Sequence, residues 1–325
     1  SLRGEIGSSK SMKYHIELKE DYRRFYAQCY KMSEGQRDIM REQLSKMVRL
    51  GLIRKVPATE SYVRFCSPGM IVSKSDGSCR LVLDLRTANL NLKLDGHSFR
   101  TLADAHIQLG KLNGKYFVQL DFQDSFFQLP LDEESKDITT FSPLPDQLYQ
   151  FNYCPQGMQT SSAVLARLCQ HLFGDLEWVV SYADDVVIAA QSIDELFARL
   201  EEVLSRVGDD GLKFCLHKGS FMTDEIQFLG SHIKNGVRSL LSKHTDSIQN
   251  MKSPANKDEL RSLLGAMNWT SSYIKQYSHK THHLRALMKK NVEWEWLGVH
   301  EKAFQDLKTY FLSPQVLRLP RGDDN

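Results

Sequence analysis

Asp184 and Asp185 stand side by side in "SYADDVVIAA", residues 181–190, inside an otherwise apolar run. Two carboxylates at the tip of a strand pair share one volume, and like charges there repel unless a cation neutralises them. Taken alone, the pair fits a solvated Asp-rich turn better than a metal site. Asp121 shifts that balance: it closes "YFVQLD", a run that reads as a buried strand, 63 residues before Asp184. If that strand lies beside the hairpin, three carboxylates converge. Such a set is hard-oxygen chemistry, suited to Mg²⁺ or Mn²⁺. Two such ions about 4 Å apart activate a nucleophile and stabilise the leaving oxygen of an in-line phosphoryl displacement.

Other residues are suggestive but ambiguous by type and spacing. Lys74 and Arg80 flank Asp76-Gly77; their cationic heads suit phosphate oxygens, and they equally fit the solvated end of a hairpin. Gln156 and Gly157 precede a helix, which fits a turn or a close backbone approach to a ligand. Residues 252–290 contain eight Lys+Arg against two Asp+Glu, interleaved with Trp269, Tyr273 and Tyr277. That mixture suits nucleic acid, and a helical bundle with aromatics in its core gives the same pattern. The adjacent His282 and His283 fit a solvated or nucleic-acid-facing helix end better than a metal site.

The elements that must position these groups are legible. Residues 33–51 read as a helix with Ser33 as N-cap and Gly51 as stop signal. "MIVSKSDGSCRLVLDLR" reads as a hairpin about Asp76-Gly77. Residues 160–173 read as a helix capped by Thr160 or Ser161. "WVVSYADDVVIAA" gives two short strands, residues 193–207 an amphipathic helix, and "IQFLGSHIKNGV" a hairpin with Asn235-Gly236 punctuation. From Asn256 the pattern is mainly helical. Hairpins interspersed with helices favour an α+β class over a doubly wound parallel sheet.

Composition sets outer limits. The 325 residues allow two or three packed subdomains, with 41% hydrophobic and 25% charged residues. No apolar run is long enough to span a bilayer, and no membrane partner is expected. The polar start "SLRGEIGSSKSMK" does not read as a signal peptide; opening on Ser1, it fits a processed product or a piece of a longer chain. The six cysteines form no CxxC pair and fit free thiols in a reducing compartment. The net charge of +2 is unevenly divided: residues 231–325 carry 15 Lys+Arg against 9 Asp+Glu, and residues 1–230 carry 27 against 31. A basic end on an acidic body fits phosphate binding in one part and cation binding in the other, or ordinary surface variation.

Seven blocks in order resemble the reverse transcriptases of LTR retrotransposons, most nearly the gypsy type, across residues 14–320. They are "VSKSDGSCRLVLDLRTANL", "LDFQDSFFQLPL", "CPQGMQTSSAVL", "YADD", "GLKFCLHKGSF" with "FLGSHI", "DELRSLLGAMNWTSSYIKQYS" and "EWEWLGVHEKAFQDLKTYFLSPQVL". The four-residue Tyr-x-Asp-Asp signature alone is weak; the ordered set is specific. The resemblance implies a right-hand polymerase with an antiparallel palm sheet and a helical thumb. It implies a leader at 1–13, fingers at 14–96 and 129–155, a palm at 97–128 and 156–236, a thumb at 237–310, and the start of a connection at 311–325.

The resemblance also implies roles. Asp121, Asp184 and Asp185, with the Phe122 carbonyl, would hold two Mg²⁺ or Mn²⁺ ions. Lys74 and Arg80 would fold over the triphosphate of a dNTP, with Asp124, Ser125, Phe126, Gln156 and Gly157 completing its pocket. Phe126 would exclude a 2′-hydroxyl, which argues against an RNA-directed RNA polymerase. Lys218 would protonate the leaving pyrophosphate. Tyr182, Ala183, Phe228, Leu229, Gly230 and Trp269 would contact primer and template. The implied activity is RNA- and DNA-directed DNA synthesis from a nucleic-acid primer, in virus-like particles in the cytoplasm or in the nucleus. The competing reading is a silent nucleic-acid-binding scaffold, since some retroviral relatives pair an active chain with an inactive copy of the same sequence; a homodimer or a paired subunit is the assembly this implies. Three departures stand out. Ala183 is smaller than the usual aliphatic. "FSPLPDQLYQF" runs two residues long, and "CPQG" is closer to the retroviral form. The chain also stops soon after "SPQVLRLP", where the family continues into an RNase H domain.

Overall fold

A computed structural model describes residues 5–57, 63–73, 77, 79–94, 101–112, 114–241, 246, 248–268, 271, 276–312 and 316–318. Lys74, Asp76, Trp269 and Tyr273 lie outside the described residues. The chain divides into two compact units: Ser1–Thr101, Val118–Ala189 and Ile193–Phe221 form the first, and Leu102–Phe117, Ala190–Ser192 and Met222–Asn325 the second.

The first unit opens with β1 (Phe25–Tyr26) and α1 (Glu34–Arg49). Ser33 caps α1 as expected: its hydroxyl accepts from Gln36 N, and the Gln36 side chain accepts from Ser33 N. Met40, Leu44 and Met47 form the buried stripe, and Gly51 leaves the helix with φ +69°. Next come β2 (Ile53–Lys55), the hairpin of β3 (Phe65–Ser73) and β4 (Cys79–Leu83), and the short α2 (Arg86–Leu90). α3 (Leu102–Lys111) belongs to the second unit, and β5 (Tyr116–Asp121) follows it.

Beyond β5 lie a 3₁₀ turn at Ser125–Gln128, α4 (Glu133–Lys136), and the hairpin of β6 (Phe141–Leu144) and β7 (Gln147–Phe151). That hairpin is the long "FSPLPDQLYQF" segment, and Asp146 takes its turn with φ +59°. One sheet runs β1-β3-β6-β7-β2 with β4 on β3; the β1–β3 and β3–β6 pairs are parallel and the rest antiparallel. Phe141 anchors its core, with ring centroids 5.8 Å from Tyr149 and 5.3 Å from Phe151.

α5 (Ser161–Phe173) buries Val164, Leu165, Leu168 and Leu172. The expected cap is corrected, because neither Thr160 nor Ser161 closes the helix with its side chain. The Thr160 hydroxyl is bonded to the buried Tyr14 hydroxyl, and Ser161 Oγ donates to Met158 O at 2.7 Å. A long-range partner outcompeted the local one. β8 (Val179–Tyr182) and β9 (Asp185–Ala190) form the expected hairpin, with α6 (Ile193–Asp210) and β10 (Ser220–Thr223) after it. α6 runs three residues past the expected end at 207. A four-stranded sheet has the order β10-β5-β9-β8.

The second unit carries the antiparallel sheet of β11 (Glu225–Phe228), β12 (Ser231–Lys234), β13 (Val237–Leu240) and β14 (Val316–Arg318). Asn235 and Gly236 join β12 to β13 with φ +52° and +71°, the pattern of a type I′ turn. Beyond residue 241 the helices of this unit among the described residues include α7 (Lys257–Asn268), α8 (Tyr277–Lys280), α9 (His282–Leu287) and α10 (Gly298–Leu312). They enclose a core of Leu260, Met267, Leu284, Phe304, Leu307 and Phe311. Tyr277 is buried in that core, so this aromatic of the basic stretch serves packing. No disulfide links the cysteines. Among the described residues no helix is long and apolar enough to cross a membrane.

Candidate active site

Asp121 is the last residue of β5, and Asp185 the first of β9. The sheet order makes these strands neighbours. Phe122 N donates to Asp184 O at 3.1 Å, so the backbone itself joins the end of β5 to the turn of the hairpin. The far side of β5 is held by residues 213–215: Gln123 N donates to Lys213 O at 3.0 Å and Cys215 N to Asp121 O at 2.8 Å. The Phe122 and Phe214 rings stack at 4.6 Å.

The three carboxylates sense one another. Burial pushes Asp185 up to about 6, with repulsion from Asp184 and Asp121 added, while a bond from Gln119 Nε2 at 3.5 Å opposes the rise. Asp184 is also raised, first by crowding protein atoms and then by Asp121, although its residue as a whole is exposed. Lys218 Nζ donates to Asp121 Oδ2 at 3.2 Å, and this bond is the main cause of its own raised pKa. Among the described residues no three His, Cys, Asp or Glu side chains are arranged to share one metal ion. Two of the carboxylates have other partners: Asp121 has the Lys218 ammonium and Asp185 the Gln119 amide.

The hairpin turn explains one departure noted in the sequence. Tyr182 pairs with Asp185, which leaves Ala183-Asp184 as a two-residue loop, and Ala183 has φ +53°. Positive φ at the first central position alone is the signature of a type II′ turn, where glycine is preferred. A Cβ is strained in this conformation, alanine's included, and a β-branched side chain adds crowding that alanine avoids. Cys169 Sγ on α5 lies 3.8 Å from the Ala183 carbonyl and supports the turn from behind.

The predicted nucleotide-pocket residues are distributed around these strands. Asp124, with φ +47°, enters the 3₁₀ turn; Ser125 is buried and Phe126 half-buried. Gln156 and Gly157 are exposed, and Gly157 has φ +99°. A Cβ there would meet only Leu85 Cδ1 at 3.7 Å, so backbone conformation rather than crowding calls for glycine. Asn89 fixes this turn: its Nδ2 donates to Gly157 O and its Oδ1 accepts from Gln159 N, both at 2.9 Å. Arg80 is exposed, opposite Val72 in the β3–β4 register. In the second unit, Leu229 and Gly230 turn β11 into β12 with φ +47° and +76°. Phe228 is buried against the His106 ring at 6.2 Å. Burial, with the Arg238 charge, holds His106 below its usual pKa.

Gln119, Asn89 and His106 were not found from the sequence. A glutamine breaking the apolar run "YFVQLD" was the only local sign for Gln119. Asn89 and His106 act through partners distant in the chain and left none.

Residues 72–233 match the family model for reverse transcriptase (RNA-dependent DNA polymerase). The chain carries a reverse transcriptase domain. Curated relatives include the Transposon Tf2-3 polyprotein of Schizosaccharomyces pombe, 26% identical over 95% of this chain and 23% of the relative. The retrovirus-related Pol polyprotein from transposon 412 of Drosophila melanogaster is 29% identical over 95% of this chain and 25% of the relative. The reverse transcriptase domain and its flanks thus span about a quarter of those proteins. The fold is that of the foamy viral protease-reverse transcriptase solved with dsDNA. The TM-score is 0.84 at 22% identity, over 99% of this chain and 66% of the other. The same viral protein solved with an RNA/DNA hybrid gives 0.83 at 22% identity, over 98% of this chain and 42% of the other. Structure and relatives agree on the α+β, right-hand polymerase class expected from sequence.

Proposed function

We propose that this reverse transcriptase domain is the polymerase part of an RNA- and DNA-directed DNA polymerase that extends a nucleic-acid primer with dNTPs. The observation that carries the reading is the grouping of Asp121, Asp184 and Asp185 where β5 meets the β8–β9 turn, with two of the carboxyls raised by burial and mutual repulsion. In this reading the three carboxylates and the Phe122 carbonyl hold two Mg²⁺ or Mn²⁺ ions. The donor set fits: it is all oxygen, and its repulsion is what a hard divalent cation relieves. When bound, such ions activate the primer hydroxyl and neutralise the departing pyrophosphate.

The remaining residues bind and orient. Lys74 and Arg80 hold the triphosphate, with arginine adding a planar donor fork. Asp124 and Ser125 shape the floor of the pocket, and Phe126 packs under the sugar and rejects a 2′-hydroxyl by bulk. Gln156 and Gly157, fixed by Asn89, lie against the nucleotide. Lys218 leaves Asp121 to give its proton to the pyrophosphate. Tyr182, Ala183, Phe228, Leu229, Gly230 and Trp269 contact primer and template. The partition into fingers, palm, thumb and start of connection follows the boundaries given above.

The observation that favours the second reading, a silent scaffold, is that Asp121 is engaged by Lys218, with no three ligand side chains converging on one point among the described residues. Extension of a DNA primer on poly(rA) with dTTP and Mg²⁺ separates the two. The polymerase reading expects extension by the wild-type chain and none by Asp185→Asn. Full activity in that variant would sink the site assignment, and tight binding without extension by the wild-type chain would favour the scaffold.

A further inference from the structure

The polar segment at the start of the chain is tied down beneath the proposed catalytic strand. Ser8 N donates to Gly211 O at 2.8 Å, Ser9 N to Gln128 O at 2.9 Å, and Lys10 N to Asp210 O at 2.8 Å. Ser9 Oγ donates to Asp210 Oδ2 at 2.7 Å, and Ser11 N to Asp210 Oδ1 at 2.8 Å. Ser9, Gln128 and Asp210 are all buried. Exposed pairs at the edge, such as Lys213 with Glu5 at 3.3 Å, add little.

Gln128 is the hub. Its Nε2 donates to Gln123 O at 2.6 Å and Lys213 O at 2.9 Å, and its Oε1 accepts from Lys213 N at 2.7 Å. One amide thereby clamps the residues just after Asp121 to the segment that bonds Asp121 O through Cys215 N. The segment comes close enough to cover this clamp only because two glycines face each other. A Cβ on Gly7 would overlap Gln128 Oε1 and stand 2.9 Å from Gly211 O and Lys213 N. A Cβ on Gly211 would stand 2.6 Å from Ser8 O. A buried, fully bonded polar network of this kind fixes geometry more than it adds stability.

We propose that residues 5–12 form a strap that holds the Asp121 end of β5 in place, with Gly7, Ser9, Gln128 and Asp210 as positioning residues for nucleotide addition. The proposal rests on the reading of Asp121 as a catalytic carboxylate. A shift of Asp121 by a fraction of an ångström degrades the chemical step and ion binding, and the same clamp carries Ser125 and Phe126 of the proposed nucleotide pocket, which lie between Gln123 and Gln128. The strap therefore acts on kcat and on the Mg²⁺ requirement, and through the Ser125–Gln128 turn on dNTP affinity as well.

The test is single-nucleotide addition by the full chain on a primer–template, with rates normalised to active sites titrated by the burst. Gly7→Ala and Asp210→Ala are expected to lower kcat by about tenfold to a hundredfold, with primer–template affinity within about threefold of wild type. The Mg²⁺ concentration giving half-maximal rate should rise. Asp210→Asn, which keeps an acceptor for Ser11 N and a partner for Ser9, should return most of the rate. If Gly7→Ala fails to fold, Asp210→Ala and its Asn counterpart decide. Wild-type kcat per titrated site and an unchanged Mg²⁺ requirement in Asp210→Ala would overturn the strap. Asp185→Asn serves as the separate control: activity in that variant removes the catalytic reading itself, whereas an inactive Asp185→Asn beside a normal Asp210→Ala removes the strap alone.

Discussion

Replacing Asp185 by asparagine should make the metal-free protein more stable at neutral pH. The Asp185 carboxyl is pushed up to about 6 by burial and by its acidic neighbours, against about 3.9 for an unperturbed aspartate. Keeping it ionised in the fold therefore costs up to roughly 3 kcal/mol, or about 1–2 kcal/mol once partial exposure and screening are allowed for. The sign follows from the raised pKa. Below pH 4 the group is protonated in both states and the penalty is absent. It grows between pH 4 and 6 and is fully present above 6. Asparagine is isosteric, can still accept the Gln119 bond, and carries no charge at any pH. Chemical denaturation in EDTA should show Asp185→Asn more stable than wild type by about 1–2 kcal/mol at pH 7.5, with the difference gone at pH 4. Equal or lower stability at pH 7.5, or a gain that persists at pH 4, would refute the account of a strained, mutually repelling cluster.

Three other outcomes are expected. Ala183→Gly should relieve a Cβ strain of about 1–2 kcal/mol and Ala183→Val should not, because the position has φ +53°; equal stability of the two variants in urea would contradict the turn assignment. Phe126→Val should raise ribonucleotide relative to deoxynucleotide incorporation, and an unchanged ratio in competition assays would remove Phe126 from sugar selection. Asn89→Ala frees the turn at Gly157 and Gln159 and should raise the dNTP KM by roughly threefold to tenfold with little change in melting temperature; an unaltered KM would mean the turn does not touch the nucleotide.

What the sequence disclosed and what it hid divide along a physical line. Local rules were legible: the Ser33 N-cap, the Asn235-Gly236 turn and the apolar strands flanking Asp184-Asp185 each depend on neighbours a few residues away. The carboxylate grouping needed one long-range assumption, that β5 lies beside the hairpin, and the resemblance supplied it. Contacts made by single polar side chains across the chain were not legible. Thr160 looked like a cap and is instead bonded to Tyr14. The anchoring of residues 8–11 to Gln128 and to Asp210–Gly211 is of the same kind. Nothing in periodicity or propensity marks a serine whose partner lies 201 residues away. The basic, aromatic stretch 252–290 was read as serving both core and nucleic acid, and Tyr277 falls on the core side.

The central claim is that Asp121, Asp184 and Asp185 together make a divalent-ion site for nucleotide transfer. The rate of single-nucleotide addition across a Mg²⁺ titration, for wild type and for Asp121→Asn and Asp184→Asn, tests it most directly. The account predicts at least about a hundredfold loss in each variant, partly recovered at high Mg²⁺ or Mn²⁺, with primer–template affinity unchanged. A wild-type rate and Mg²⁺ dependence in either variant would contradict it.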